Sequence, residues 1–183
     1  MPPVPEALTA RRIVVRGTSG AGKTTFTRAL GARLGLPVVE LDALNHGPNW
    51  QAAPVEEFRA RVASSLDDHD AWVVDGNYDR RLGSLVLDRA DLIIWLDLPL
   101  RVKLRRLWFR TTRRIRSGEE LWNGNRENWR SAFWGQDSLF AWAIVGHRES
   151  RRAWTERHAG HPVVRLRTQA EVARYLRNVV APP

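Results

Sequence analysis

Apolar residues gather into five short runs, at 12–16, 37–41, 71–75, 91–96 and 162–166. Helical spacing separates most of these runs. Phe26, Leu30 and Leu34 recur along one face after the first run, and Gly35 and Pro37 supply stop signals. Residues 54–66 read as a second helix with Val55, Phe58, Val62 and Leu66 inward, and a shorter helix is expected over 79–88. Such alternation predicts a parallel sheet covered by helices on both faces. Ala71-Trp72-Val73-Val74 and Leu92-Ile93-Ile94-Trp95-Leu96 are apolar without alternating, as strands buried on both sides must be. Trp72 and Trp95 are therefore expected in the core.

Between 99 and 158 no strand pattern occurs, and two or three helices are predicted. The first covers 100–116, with Leu104, Leu107, Thr111 and Ile115 on its buried stripe, and Gly118, Gly124 and Gly135 punctuate the stretch beyond it. The last strand leads into a helix over 168–179, for which Thr168 is a suitable N-cap. With no internal repeat and no linker, one domain is expected over residues 1–183, carrying a helical insertion at about 100–158. A chain of 183 residues is long enough for one sizeable core. No apolar run approaches the ~20 residues of a membrane span. The first eight residues lack the layout of a secretory signal and read as a loose tail. The absence of cysteine excludes disulfides, thiolate metal sites and cysteine nucleophiles, and a cytoplasmic location is expected.

The first apolar run leads into Gly17-Thr18-Ser19-Gly20-Ala21-Gly22-Lys23-Thr24-Thr25, a complete G-x-x-x-x-G-K-[ST] phosphate loop between a strand and a helix. Glycines allow positive φ and let successive main-chain N–H groups approach a polyphosphate without Cβ clashes. The candidate nucleotide contacts are Gly17, Ser19, Gly20, Ala21, Gly22, Lys23, Thr24 and Thr25. Lys23 would reach the β- and γ-phosphates, and the Thr24 hydroxyl would face Mg²⁺.

Ligands of open parallel sheets bind beyond the carboxyl ends of the strands, and three aspartates fall there. Asp75 ends Trp-Val-Val-Asp, the apolar strand plus acid that holds Mg²⁺ in many such loops; a plain turn before Gly76 is the alternative. Asp42, in Glu-Leu-Asp-Ala-Leu, could orient or deprotonate an acceptor hydroxyl, or simply serve as a cap or turn former. Asp97, before Pro99, is expected to cap the next helix.

The net charge of +9 is carried almost wholly by arginine, since Lys23 and Lys103 are the only lysines. Eight basic residues fall between 101 and 116 with no acid among them, and Arg106, Arg110 and Arg113 share a helix face. Clamping a transferring phosphoryl group, a solvated basic face and nucleic-acid backbone binding are the three readings, the first preferred. Of nine tryptophans, Trp122, Trp129, Trp134 and Trp142 cluster in the insertion, where packing small helices together is the default role. The polar turn Asn-Gly-Asn-Arg-Glu at 123–127 is harder to explain as packing and is a candidate substrate contact.

Together with the phosphate loop, Val-Val-Asp-Gly-Asn-Tyr after the third strand, Ile-Ile-Trp-Leu-Asp-Leu-Pro at the fourth and Glu-Leu-Trp-Asn-Gly-Asn-Arg-Glu in the insertion carry a resemblance. The chain resembles the adenylate-kinase-like P-loop proteins, nearest those labelled DNA topology modulation proteins, over residues 12–178. The resemblance implies a three-layer α/β/α sandwich on a five-stranded parallel sheet in order 2-3-1-4-5, an ATP site at the loop and a helical lid. It also implies that the turn containing Arg167 borders the adenine, and that Arg106 and Arg110 are lid arginines. Where adenylate kinases carry Asp-Gly-Phe-Pro-Arg, this chain has Asp75-Gly76-Asn77-Tyr78-Asp79, which argues against AMP as acceptor. Asp42 is instead similar to the acceptor-side acid of shikimate and gluconate kinases. The expected function is an ATP- and Mg²⁺-dependent phosphotransferase acting on a small-molecule or nucleotide-like acceptor. Lys23, Asp42, Arg106 and Arg110 are its candidate catalytic residues, Thr24 and Asp75 its metal side, and Arg110 and Arg167 further nucleotide contacts. A nucleotide-gated nucleic-acid binder or a simple ATPase is the alternative, and a monomer or homodimer without membrane contact is expected.

Overall fold

A computed structural model describes residues 10–134 and 138–179. The N-terminal tail and Gly135 lie outside the described residues, as does the side chain of Trp142. Five parallel strands, β1 (Arg12–Arg16), β2 (Val38–Glu40), β3 (Trp72–Asp75), β4 (Leu92–Leu96) and β5 (Val163–Leu166), form one sheet in the order β2-β3-β1-β4-β5. The expected order and class are borne out. β1 is central, with Val15 opposite Asp75 of β3 on one side and Ile94 of β4 on the other. The chain leaves β1 toward one edge of the sheet and returns past it to the other, which opens a crevice at the carboxyl ends of β1 and β3.

Strand alternation sends side chains to two cores. Ile13, Val15, Ile94 and Leu96 pack with Phe26 and Leu30 of α1 (Lys23–Leu34) and Tyr175 of α8 (Gln169–Asn178). Val14, Val74 and Ile93 pack on the opposite face with Phe58, Val62 and Leu66 of α3 (Val55–Asp67). Trp72 and Trp95 are buried, as their position in apolar strands predicts. Thr168 caps α8 through a reciprocal capping box with Glu171, an arrangement that stabilises by about 1 kcal/mol.

Three sequence expectations shift in detail. A short helix α2 (Leu41–Asn45) follows β2 directly, so Asp42 sits in a first helical turn. The helix expected at 79–88 breaks into α4 (Asp79–Leu82) and a separate 3-10 turn, because Gly83 turns out with φ 60°. The insertion contains α5 (Leu100–Ser117), the short α6 (Trp129–Phe133) and α7 (Leu139–Arg157). The buried stripe of α5 is rotated from the expected one: Lys103, Leu107, Thr111 and Thr112 are buried, while Leu104 and Ile115 are only partly so.

Candidate active site

The phosphate loop sits at the mouth of the crevice, between β1 and α1. Gly20 and Gly22 adopt φ of 79° and 88°, which side-chain-bearing residues rarely tolerate. Gly20 has a second reason to be glycine: a Cβ there would lie 2.3 Å from the Lys103 carbonyl oxygen, so α5 rests its backbone directly on the loop. Asn77, just beyond β3, clasps the loop from the side. Its Nδ2 donates to the Gly17 carbonyl at 2.6 Å, and the Gly17 N–H donates to its Oδ1 at 3.3 Å. Arg16, almost fully buried before the loop, ion-pairs with Asp79 at 2.6 Å and donates to the Gly76 carbonyl, tying β1 to the turn after β3.

Thr24 donates its hydroxyl to Asp75 Oδ2 at 2.6 Å. A bond of this charge-assisted kind is worth about 1.5–3 kcal/mol. The other oxygen, Oδ1, is buried and has no partner. Burial raises the Asp75 pKa, while Lys23 and the Thr24 hydroxyl hold it down. An orphaned carboxylate oxygen beside a bonded hydroxyl fits a hard divalent cation, and Mg²⁺ is typically held by one or two carboxylates plus ligand phosphates. Among the described residues no cluster of three or more His, Asp or Glu side chains offers an alternative metal site.

The opposite wall is assembled from segments distant in sequence. Tyr78 donates its hydroxyl to Asp42 Oδ1 at 2.6 Å and lies 3.1 Å from His46 Nε2. Asp42 and His46 are four residues apart on one face of α2 and its end. Burial first, then the neighbouring Asp42 carboxylate, pushes the Tyr78 pKa above its ordinary value, so its hydroxyl stays a donor at all physiological pH. Trp50 adopts φ 58°, an outlier for a bulky residue, and its N–H donates to Asn125 Oδ1 at 2.7 Å. Asn125 donates in turn to the Gly47 carbonyl at 2.9 Å, and Asn123 to that of His46. The polar turn at 123–127 is thus a staple between the insertion and the segment after α2, with Glu127 lining the cleft.

Along α5 the arginines divide. Arg106 donates to the Ala21 carbonyl at 3.1 Å, on the rim of the phosphate loop. Arg110 lies one turn further, with a buried Nε that has no partner and Glu127 3.9 Å from its Nη2. Burial lowers its pKa most, followed by Arg114, against the pull of Glu127 and Asp42. Arg113 turns outward to Glu119 at 3.3 Å, and Arg114 pairs with Glu119 and Glu127 at 3.2 and 3.1 Å. The basic run is therefore partly neutralised by acids located after the helix, a pairing its own spacing did not reveal.

Lys103 is the unexpected cation. Fully buried, it donates to Thr18 Oγ1 at 2.6 Å and lies 2.7 Å from His147 Nδ1 on α7. Burial pulls its pKa down to about 8.

One cleft of about 2790 Å³ joins both walls, bringing Ser19 to Thr25, Asp42, Tyr78, Arg106 and Arg110 together. Gly17 lies beneath it, at the root of the loop. Arg167 does not line the cleft; its side chain is exposed, and its N–H donates to Glu171 at 2.6 Å. From that segment it is Gln169, Val172 and Leu176 that reach the cleft beside Phe26. Asp97 does not cap α5 either. Buried, it pairs with Arg151 at 2.8 Å and Arg165 at 2.7 Å, and Arg165 also stacks 4.0 Å over Trp95. The tryptophan expectation holds only in part, since Trp134 is 81% exposed and Trp122 donates to Glu40 at 3.1 Å. Sequence reasoning assigned no role to Asn77, Tyr78, His46 or Lys103. The first two stood next to Asp75, His46 stood one helical turn from Asp42, and Lys103 was a lone lysine among arginines.

No protein-family model matches the chain, and no curated protein matches it in sequence. Solved structures do. Shikimate kinase from Acinetobacter baumannii, in complex with shikimate, is 18% identical, with a TM-score of 0.56 covering 96% of this chain and 94% of that one. A gluconokinase from Sinorhizobium meliloti 1021 is 18% identical, with a TM-score of 0.54 covering 91% and 87%. Deoxyadenosine kinase from M. mycoides with bound dATP is 13% identical, with a TM-score of 0.51 covering 90% and 97%. The likeness is one of fold: a five-stranded parallel sheet in the order 2-3-1-4-5 surrounded by helices. Nothing in these three structures corresponds to the narrower likeness to DNA topology modulation proteins.

Proposed function

We propose that the protein is a Mg²⁺-dependent kinase that transfers the γ-phosphoryl group of ATP to a hydroxyl of a small molecule. The observation that carries this reading is one cleft with two dissimilar walls: the Lys23 loop with its Thr24–Asp75 pair, and the Asp42 carboxylate held by Tyr78. The fold shared with shikimate kinase, gluconokinase and deoxyadenosine kinase supports it.

The loop amides and Lys23 bind the phosphates. Thr24 and the free oxygen of Asp75 would hold the metal, which would supply positive charge to the phosphates. Asp42, turned by Tyr78, receives the acceptor's hydroxyl proton as its oxygen bonds to the γ-phosphorus and the bond to ADP breaks. Arg106 and Arg110 stabilise charge on the equatorial oxygens of the loose phosphoryl group. Because so little covalent chemistry is required, positioned charge suffices as the catalytic device.

The test is incubation with Mg-ATP and pooled nucleosides, nucleotides and hydroxylated metabolites, followed by mass spectrometry for a product heavier by one phosphoryl group. Lys23→Ala should abolish that product with the fold intact. ADP release without any phosphorylated product would make the protein a hydrolase and overturn the assignment.

A further inference from the structure

The acceptor end of the cleft is poor in available positive charge. Arg81, beside Asp42 and Tyr78, donates to Asn45 Oδ1 and to the Ala53 carbonyl. Arg114 is engaged by Glu119 and Glu127, and Arg28 by Glu40 at 2.6 Å. Arg110 remains, and its place one turn beyond Arg106 assigns it to the transferring phosphoryl group. What this end does offer is hydrogen-bond acceptors. Glu127 Oε2 is buried with no partner, and Asp42 is hydrogen-bonded by the neutral Tyr78 hydroxyl, with Arg110 within electrostatic reach. Trp50 and Trp122 line the same stretch and present apolar surface. Both anchor their indole N–H groups elsewhere, Trp50 to the Arg126 carbonyl at 3.3 Å and Trp122 to Glu40 at 3.1 Å.

From these observations, and resting on the kinase reading above, we infer that the acceptor is a polyhydroxylated ring without negative charge, either neutral or amine-bearing. A carboxylate or phosphate brought here would meet Asp42 and Glu127, with Arg110 already given to the transferring phosphoryl group and Arg28, Arg81 and Arg114 engaged. A ring bearing two or more donors satisfies both carboxylates: one hydroxyl goes to Asp42 for transfer, and a second hydroxyl or an amine goes to Glu127 Oε2. Its apolar face packs on indole. The acceptor subsite thereby differs in charge from one built for a hydroxy acid or a nucleoside monophosphate.

The test separates the acceptor by charge before it is known by name. A yeast metabolite extract, freed of nucleotides, is passed over an anion exchanger at neutral pH. The unretained and eluted fractions are each incubated with the protein and ATP labelled in its γ-phosphate. Labelled product is expected from the unretained fraction alone, and a subsequent cation exchanger tells the neutral source from the amine-bearing one. With the product identified, Glu127→Gln should raise the KM for that acceptor at least several-fold while leaving the KM for ATP unchanged. Labelled product from the eluted, anionic fraction overturns the inference and leaves the kinase assignment standing. Product from neither fraction, in protein that still binds ATP, removes the kinase assignment and this inference with it.

Discussion

The two walls of the cleft are built on different principles. The wall proposed for phosphate is main chain: one contiguous loop, residues 17–25, that Asn77, Arg106 and Lys103 brace from outside. The wall proposed for the acceptor is side chain: Asp42, Tyr78, Trp50 and Glu127 come from four separated segments and are held by cross-links such as Trp50 to Asn125. A main-chain cradle depends on conformation and so on glycine, and it tolerates little change. A side-chain wall can be rebuilt residue by residue, so ligand choice can change there without disturbing the phosphates. Substitutions should sort accordingly, with losses of nucleotide binding on one side and changes of acceptor KM on the other.

The largest effect is expected from Lys23→Ala. It removes the one lysine of the loop and should lower turnover by about 10³-fold or more, with ATP binding weakened and the circular dichroism spectrum retained. A variant that kept its nucleotide affinity would break the comparison at its root.

Asp75→Asn comes next and separates catalysis from stability. Burial holds the Asp75 pKa above its unfolded value, so ionisation is disfavoured in the folded state, and this carboxyl's contribution falls as pH rises through its folded pKa. Without metal and nucleotide, the asparagine variant should therefore melt no lower than wild type at neutral pH. Its turnover should drop about 10²-fold and lose its response to Mg²⁺, read by titrating the metal in a coupled assay. A lower melting temperature with unchanged metal response would make Asp75 a purely structural residue.

The contrast between the walls also explains what could be read in advance. The phosphate-loop motif is contiguous and tied to fixed spacing, so the turn from β1 into α1 was legible in Gly17 to Thr25. Uninterrupted apolar runs at β3 and β4 likewise announced strands buried on both sides. Elsewhere the outcome turned on partners far along the chain. Lys103 looks like one more charge on a basic helix until the loop, with Thr18 below it, packs against it. Asp97 has the position of a cap, yet Arg151 and Arg165 claim it from 54 and 68 residues away. Arg167 was placed by likeness alone; its exposed side chain does not line the cleft, and its N–H donates to Glu171. Helical periodicity put α5 in the right place but rotated its stripe, because a hydrogen-bonded lysine can be buried where hydropathy expects a leucine.

Tyr78→Phe tests the acceptor wall on its own. The substitution removes the 2.6 Å bond to Asp42 and leaves the ring against Phe58, 5.1 Å between centroids. Phosphotransfer should fall by about 10-fold, matching the loss of one hydrogen bond to a charged group, while the KM for ATP stays unchanged. A change confined to thermal stability, with the rate intact, would leave Tyr78 no part in orienting the carboxylate.

The smallest effect tests where the boundary between the walls runs. Lys103 belongs by sequence to the insertion but by contact to the phosphate loop, through Thr18, and to α7, through His147. Lys103→Met should therefore raise the KM for ATP by a few-fold and leave the acceptor KM alone, although the residue sits on the same helix as Arg110. Its pH signature comes from burial, which lowers the folded pKa to about 8 from an ordinary 10.5. Below pH 8 both states carry the proton and the full cost of burying the charge is present. Between pH 8 and 10.5 the folded protein has released a proton that the unfolded chain still holds, so wild-type stability rises with pH in that window. Melting temperatures of wild type and Lys103→Met, compared at about pH 7 and about pH 10, should thus shift in favour of the wild type at the higher pH. A difference that does not change with pH would mean the ammonium is solvated, and the Lys103 side chain would then not tie the loop to α7.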